Sequence, residues 1–278
     1  MTSSEENNYI SGKHSVANLE YNAKVYEKYL RYLGLSDPGM ILNIGFISFP
    51  ELFEVLLPRL PQDYEDFVVC DASQKVVELA KNSQKNNRVK FIQLDIEDVN
   101  GPPKEWRGKF DHLFSSYTLG ILSDLRQALK NSYELLRTDG DLLFLFAKYD
   151  PAFCTYEKMA KNSIWLPYLE KYKDYSSTVE NEIGTKEKII KWFETLRLKI
   201  LAVAIDPDVS CQYSMKDLTG IADFLDIAQD QIPKEKLESY KTEYHQQFLA
   251  TEAVSQHVEN GEDVWKLKVP TVIVVAKK

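Results

Sequence analysis

Two aspartates, Asp71 and Asp95, stand at the ends of the short apolar runs 67–70 and 89–94. If both runs are strands of one open α/β sheet, their carboxyl ends line the crevice where such sheets bind ligands. Asp71, followed by Ala72 and Ser73, could then accept hydrogen bonds from both ribose hydroxyls of a nucleoside. Asp95 could accept from an adenine amino group while Ile96 lies on the ring. Either aspartate alone could equally cap the helix that follows it. Together, at matching strand ends, they favour a nucleoside site.

The segment that should complete such a site reads Asn43-Ile44-Gly45-Phe46-Ile47-Ser48-Phe49. Close approach of backbone to a ligand favours glycine, because a Cβ restricts φ and occupies the approach. One glycine is present, followed by bulky apolar residues. Ser48 and Glu51 have the spacing of a capping box, which would satisfy the free amides of the next helix internally. Taken alone, these residues read as a well-made strand-to-helix turn. Other chemistry finds little support. Cys70, Cys154 and Cys211 have no paired spacing, so neither a disulfide framework nor a zinc site is expected. His14, His112, His245 and His257 lack neighbouring ligands, with His245 and His257 expected in a charged helical region. No metal is expected.

The elements that would position these residues alternate regularly. Val16, Leu19, Ala23, Tyr26 and Leu30 form a helical stripe over 15–33, ended by Gly34 and Pro38. Then come an apolar run at 40–44, a helical stretch at 52–57, the run 67–70, a helix through Val76 and Ala80, and the run 89–94. A strand at 110–115, a helix at about 122–137 and a strand at 141–147 continue the pattern, with Asp139-Gly140 as the turn between the last two. Segment 151–193 is helical, aromatic and charged, as an inserted cap would be. Two strands, 199–205 and 269–276, close the chain, separated by helices at 215–228 and 233–250. Parallel strands need crossover connections, so the alternation predicts an α/β fold. The expected architecture is Rossmann-like: a seven-stranded, mostly parallel sheet whose last strand is antiparallel. One domain covers 1–278, with an N-terminal helical segment (1–35), a cofactor-side core (36–150), a helical cap (151–193) and C-terminal strands and helices (194–278).

The 278 residues carry a formal net charge of −8, which disfavours nucleic acid, whose affinity comes largely from Lys and Arg. The polar start and the lack of long apolar runs predict a cytoplasmic chain without membrane insertion. The acidic, lysine-interleaved stretch 170–191 reads as a solvated face. Oligomeric state is left open.

Several stretches together resemble the insect juvenile hormone acid methyltransferases, class I enzymes that use S-adenosylmethionine to methylate a sesquiterpenoid carboxylate. The most specific are FDHLFSSYTLGIL, DLRQALKNSYELL, DGDLLFLF and DPAFCTYEKMAKNSIW, within 110–165. The tail SMKDLTGIADFLDIAQDQIPKEKLESYKTEY and the closing VPTVIVVAKK are similar to the family's C-terminal half. The resemblance implies cofactor contacts at Asn43, Gly45, Asp71, Ala72, Asp95, Ile96 and Ser115. It implies a substrate pocket near Leu19, Tyr117, Phe153 and Trp165. The family's Asp-x-Gly-x-Gly-x-Gly pattern is broken, with Asn43 in place of the acid and Ile47 and Phe49 in place of the later glycines. Its carboxylate-orienting Gln and Asp fall at Leu19 and Asn22, and its His-Trp pair at Gly120-Ile121. Methyl transfer to a carboxylate needs no general base, since the acid is ionised at neutral pH; it does need the cofactor. The expectation is therefore a divergent, non-catalytic or weakly active relative that binds a hydrophobic small molecule. The alternative is an active O-methyltransferase using S-adenosylmethionine to form a methyl ester on a terpenoid or fatty acid.

Overall fold

The computed structural model describes residues 18–35, 39–45, 48–83, 88–122, 124–148, 150–172, 184–259 and 261–278. Val16, Pro38, Ile47, His14 and much of the 170–191 stretch lie outside the described residues. Strands β1 (Met40–Ile44), β2 (Asp66–Asp71), β3 (Val89–Gln93), β4 (Phe110–Ser116), β5 (Leu136–Ala147), β6 (Lys199–Asp206) and β10 (Thr271–Lys277) form one seven-stranded sheet in the order β3-β2-β1-β4-β5-β10-β6. β10 runs antiparallel to both β5 and β6, and the other pairings are parallel. This is the Rossmann-like sheet of class I methyltransferases. The unbroken apolar runs follow from burial on both faces, which removes the need for polar alternation.

The helices are α1 (Leu19–Tyr29), α2 (Gln74–Ser83), α3 (Leu125–Leu135), α4 (Pro151–Met159), the short α5 (Leu166–Leu169), α6 (Lys186–Thr195), α7 (Met215–Leu225) and α8 (Leu237–Leu249). Between β1 and β2 the chain winds through a π-helical segment, Pro50–Leu56, closed by the i→i−5 bond from Leu57 N to Leu52 O. The inner face of α1 is Asn22, Val25, Tyr26 and Tyr29, shifted from the expected stripe so that a polar residue is fully buried.

Strand parity divides the core. Ile41, Phe67, Val69, Phe91, Phe114 and Leu143 face one layer with α1, the π-helical segment and α2. Leu42, Ile44, Val68, Leu113 and Phe144 face the other, with α3 and the Ile189, Trp192 and Phe193 side of α6. A third cluster joins α4, α7 and α8.

Three expectations are corrected. Asp139-Gly140 lies inside β5, with Asp139 at φ 64° and a register shift opposite Phe110–His112, because β5 already pairs through Leu136. The C-terminal region holds a second sheet, β7-β9-β8, formed by Ser210–Tyr213, Glu262–Lys268 and Val254–Glu259. His257 is therefore on a strand and pairs with Val264, whereas His245 is helical as expected and meets Asp223 Oδ1 at 2.9 Å.

Candidate functional site

The parallel register brings the ends of β1, β2 and β3 side by side. Gly45 N donates to Cys70 O at 2.8 Å, and Leu94 N to Asp71 O at 3.0 Å, so Gly45, Asp71 and Asp95 follow one another along one edge. Each aspartate also serves its own turn. Asp71 Oδ1 accepts from Ser73 N at 2.9 Å, and Asp95 Oδ1 from Glu97 N at 2.8 Å. Ala72 is exposed, and its carbonyl accepts from Gln93 Nε2 at 3.1 Å. Ile96 is buried among Leu94, Leu125 and Leu129, with its carbonyl held by Asn131 Nδ2 at 2.8 Å. Beside Asp95, a groove of about 450 Å³ is lined by Gln93, Leu94, Asp95, Asp98, Gly101 and Pro103.

Asn43, 9% exposed, turns its amide onto Gly45 O at 2.7 Å. Parity separates the two serines of β4. Ser115 is fully buried and donates to Ile44 O at 3.0 Å, while Ser116 shares a small cavity with Asn43, Tyr26, Ser48 and Glu51. The space there is about 10 Å³, room for one water molecule at most.

Glu51 is the residue that sequence reasoning misplaced. Half of the capping box forms, with Glu51 N donating to Ser48 Oγ at 3.3 Å. The carboxylate does not return to Ser48; it turns inward to accept from the Tyr26 hydroxyl at 3.2 Å, and that hydroxyl meets Ser116 Oγ at 2.6 Å. Glu51 Oε2 and the nearby Asn22 Nδ2 are buried without hydrogen-bond partners. Burial holds the Glu51 carboxyl above its ordinary range, although the neighbouring polar groups of Asn22, Tyr26 and Ser116 act against it. Its only local signal was an acidic residue beside the apolar Leu52, Val55 and Leu56.

Gly45 takes φ 82°, and a Cβ added there would fall inside the Thr118 side chain, which fills the space over the glycine. Phe49 points elsewhere, packing on Phe53 and Phe91 with ring centroids 5.4 and 6.5 Å away. The residues assigned to a substrate pocket are packed against protein. Leu19 is half-buried. Phe153 is buried against Tyr156 and Tyr172. Trp165 packs on Tyr240 at 5.3 Å and donates from Nε1 to Glu243 at 2.6 Å. The Tyr117 hydroxyl donates to Asn22 Oδ1 at 3.1 Å and lies 3.3 Å from Thr271 Oγ1.

Residues 54–144 match the family model of the methyltransferase domain. With the strand order above, these residues lie within a sheet that has the fold of the class I methyltransferases. In sequence it is 28% identical over 200 residues to a juvenile hormone acid O-methyltransferase of Bombyx mori, a match covering 69% of this chain and 67% of that one. It is 30% identical over 150 residues to the Drosophila melanogaster protein of that name, covering 53% and 50%. The second match thus spans half of that relative's length. Among solved structures, a Bacillus halodurans protein assigned as a methyltransferase superposes with TM-score 0.53 at 14% identity, covering 94% of this chain and 98% of that one. Bacillus subtilis YcgJ superposes equally at 14% identity, covering 93% and 98%.

The cofactor that the methyltransferase fold implies is S-adenosylmethionine, and the described residues around Gly45 leave little open space for it. The Thr118 side chain stands where a Cβ on Gly45 would lie, and the cavity lined by Asn43, Ser48, Glu51 and Ser116 admits no more than a water. Among the described residues no helix is long and apolar enough to cross a membrane.

Proposed function

We propose that this chain is a methyltransferase-fold protein that does not bind S-adenosylmethionine and does not transfer methyl groups. The observation that carries this reading is the covered Gly45: backbone that should lie open to a ligand is filled by the protein's own Thr118. The inward-turned Glu51 supports it, since a buried carboxylate occupies the same corner of the cleft. Tyr117, Phe153 and Trp165 are engaged with protein neighbours, so the reading assigns them no apolar ligand.

The test is calorimetric titration of the purified chain with S-adenosylmethionine and with S-adenosylhomocysteine. No heat of binding is expected up to millimolar ligand. Saturable binding of either would overturn the proposal in favour of an active O-methyltransferase, the reading that Asp71, Asp95 and the insect relatives would then support.

A further inference from the structure

We infer that the turn after β4 is a built-in plug, with Thr118 filling the cofactor position and Tyr117 latching it there. The inference rests on the reading that the cleft is closed, and it names what closes it. Tyr117 is one of three non-glycine residues held at positive φ among those described, at 59°, a conformation that persists only where surrounding contacts impose it. Those contacts come from three elements. Tyr117 N donates to Leu145 O of β5 at 2.7 Å; its hydroxyl donates to Asn22 Oδ1 of α1 and adjoins Thr271 Oγ1 of β10. Three residues on, a Cβ at Gly120 would lie 3.2 Å from Ala147 N, so the turn also sits tightly on the end of β5.

Thr118 is thereby pressed onto Gly45 from the far side of the cleft. Phe49 does not produce this contact, since it packs against Phe53 and Phe91. Thr118 is in an ordinary right-handed conformation, so alanine there adds no backbone strain. The closure is a local arrangement of one turn.

Titration with S-adenosylhomocysteine of wild type, Thr118→Ala, Thr118→Gly, Tyr117→Phe and Phe49→Ala tests the inference, with circular dichroism reporting the fold of each variant. Thr118→Ala and Thr118→Gly should bind at least tenfold more tightly than wild type. Tyr117→Phe, which keeps the ring and removes the latch, should gain binding by a smaller factor, and Phe49→Ala should gain none. A folded Thr118→Ala or Thr118→Gly that binds no better than wild type overturns the plug. An unimproved Tyr117→Phe overturns the latch, and equal improvement in Phe49→Ala overturns the assignment to this turn. Binding by wild type would sink the proposed function instead, and the plug is then judged by the same tenfold ratio between wild type and Thr118→Ala.

Discussion

Glu51 illustrates how one side chain changes meaning with its surroundings. Beside Ser48 in the sequence it is a capping partner; in the fold it is a buried carboxyl with Oε2 unpaired and its pKa raised by burial. A raised pKa makes the ionised form unfavourable in the folded state, so its cost grows as pH rises. Glu51→Gln keeps the shape and an acceptor for the Tyr26 hydroxyl while removing the charge. It should stabilise the protein by on the order of 1 kcal/mol, with a larger gain at pH 8 than at pH 5. Urea denaturation at the two pH values checks this, and a loss of stability at pH 8 would refute it. The serines of β4 teach a related lesson. Ser115 and Ser116 are equally plausible in sequence, but strand alternation sends only Ser116 to the Asn43 side.

Elements ended where local chemistry said they would when the signal was backbone-driven. β1 matches its apolar run residue for residue, and Asp124, Asp150, Thr185 and Ser214 cap the starts of α3, α4, α6 and α7. The C-terminus of α6 closes in a Schellman arrangement, with Leu198 N bonded to Phe193 O at 3.1 Å and Arg197 N to Glu194 O at 2.8 Å. Arg197 must adopt φ 62° to make it, a position where glycine is unstrained. Arg197→Gly should therefore stabilise by about 0.5–1 kcal/mol and raise Tm by roughly 1–3 °C, as a thermal melt would register. An unchanged or lower Tm would mean that the Arg197 side chain contributes more than its backbone strain costs. The elements missed in the sequence were β7, β8 and β9. Their exposed faces carry charged and polar residues such as Gln256, Lys266 and Lys268, so their pattern merged with that of the neighbouring helix.

For the molecule as a whole, the third cluster places acidic groups deep among aromatic ones. Asp226 Oδ1 accepts from the hydroxyls of Tyr156 and Tyr240 at 2.9 and 3.0 Å and from Ala228 N at 3.3 Å, while Oδ2 has no partner. Burial pushes Asp226 up to about 6 and Asp150 up to about 7. Both stand above the ordinary value of 3.8, so the folded state holds protons that the unfolded chain has released. The stability they confer is full below about pH 4 and is lost as pH rises through 6 and 7. Tm should accordingly be higher at pH 5 than at pH 8, and Asp226→Asn should flatten the profile over that interval. A wild-type Tm that climbs from pH 5 to pH 8 would contradict this.

Local pattern alone determined the alternation of apolar runs and amphipathic stretches, and with it the sheet, its antiparallel last strand and the placing of Asp71 and Asp95 at neighbouring strand ends. Such features depend on contacts a few residues apart and on the crossover geometry of parallel strands. The state of the cleft was decided only by the tertiary structure. The first loop was read as the obstruction because Ile47 and Phe49 replace its glycines; Ile47 lies outside the described residues, Phe49 joins the core, and the side chain over Gly45 comes from Thr118, beyond three intervening strands. Nothing local to either residue records that contact. It exists because β1 pairs with β4, and because Asn22, Leu145 and Thr271 hold the next turn across the cleft.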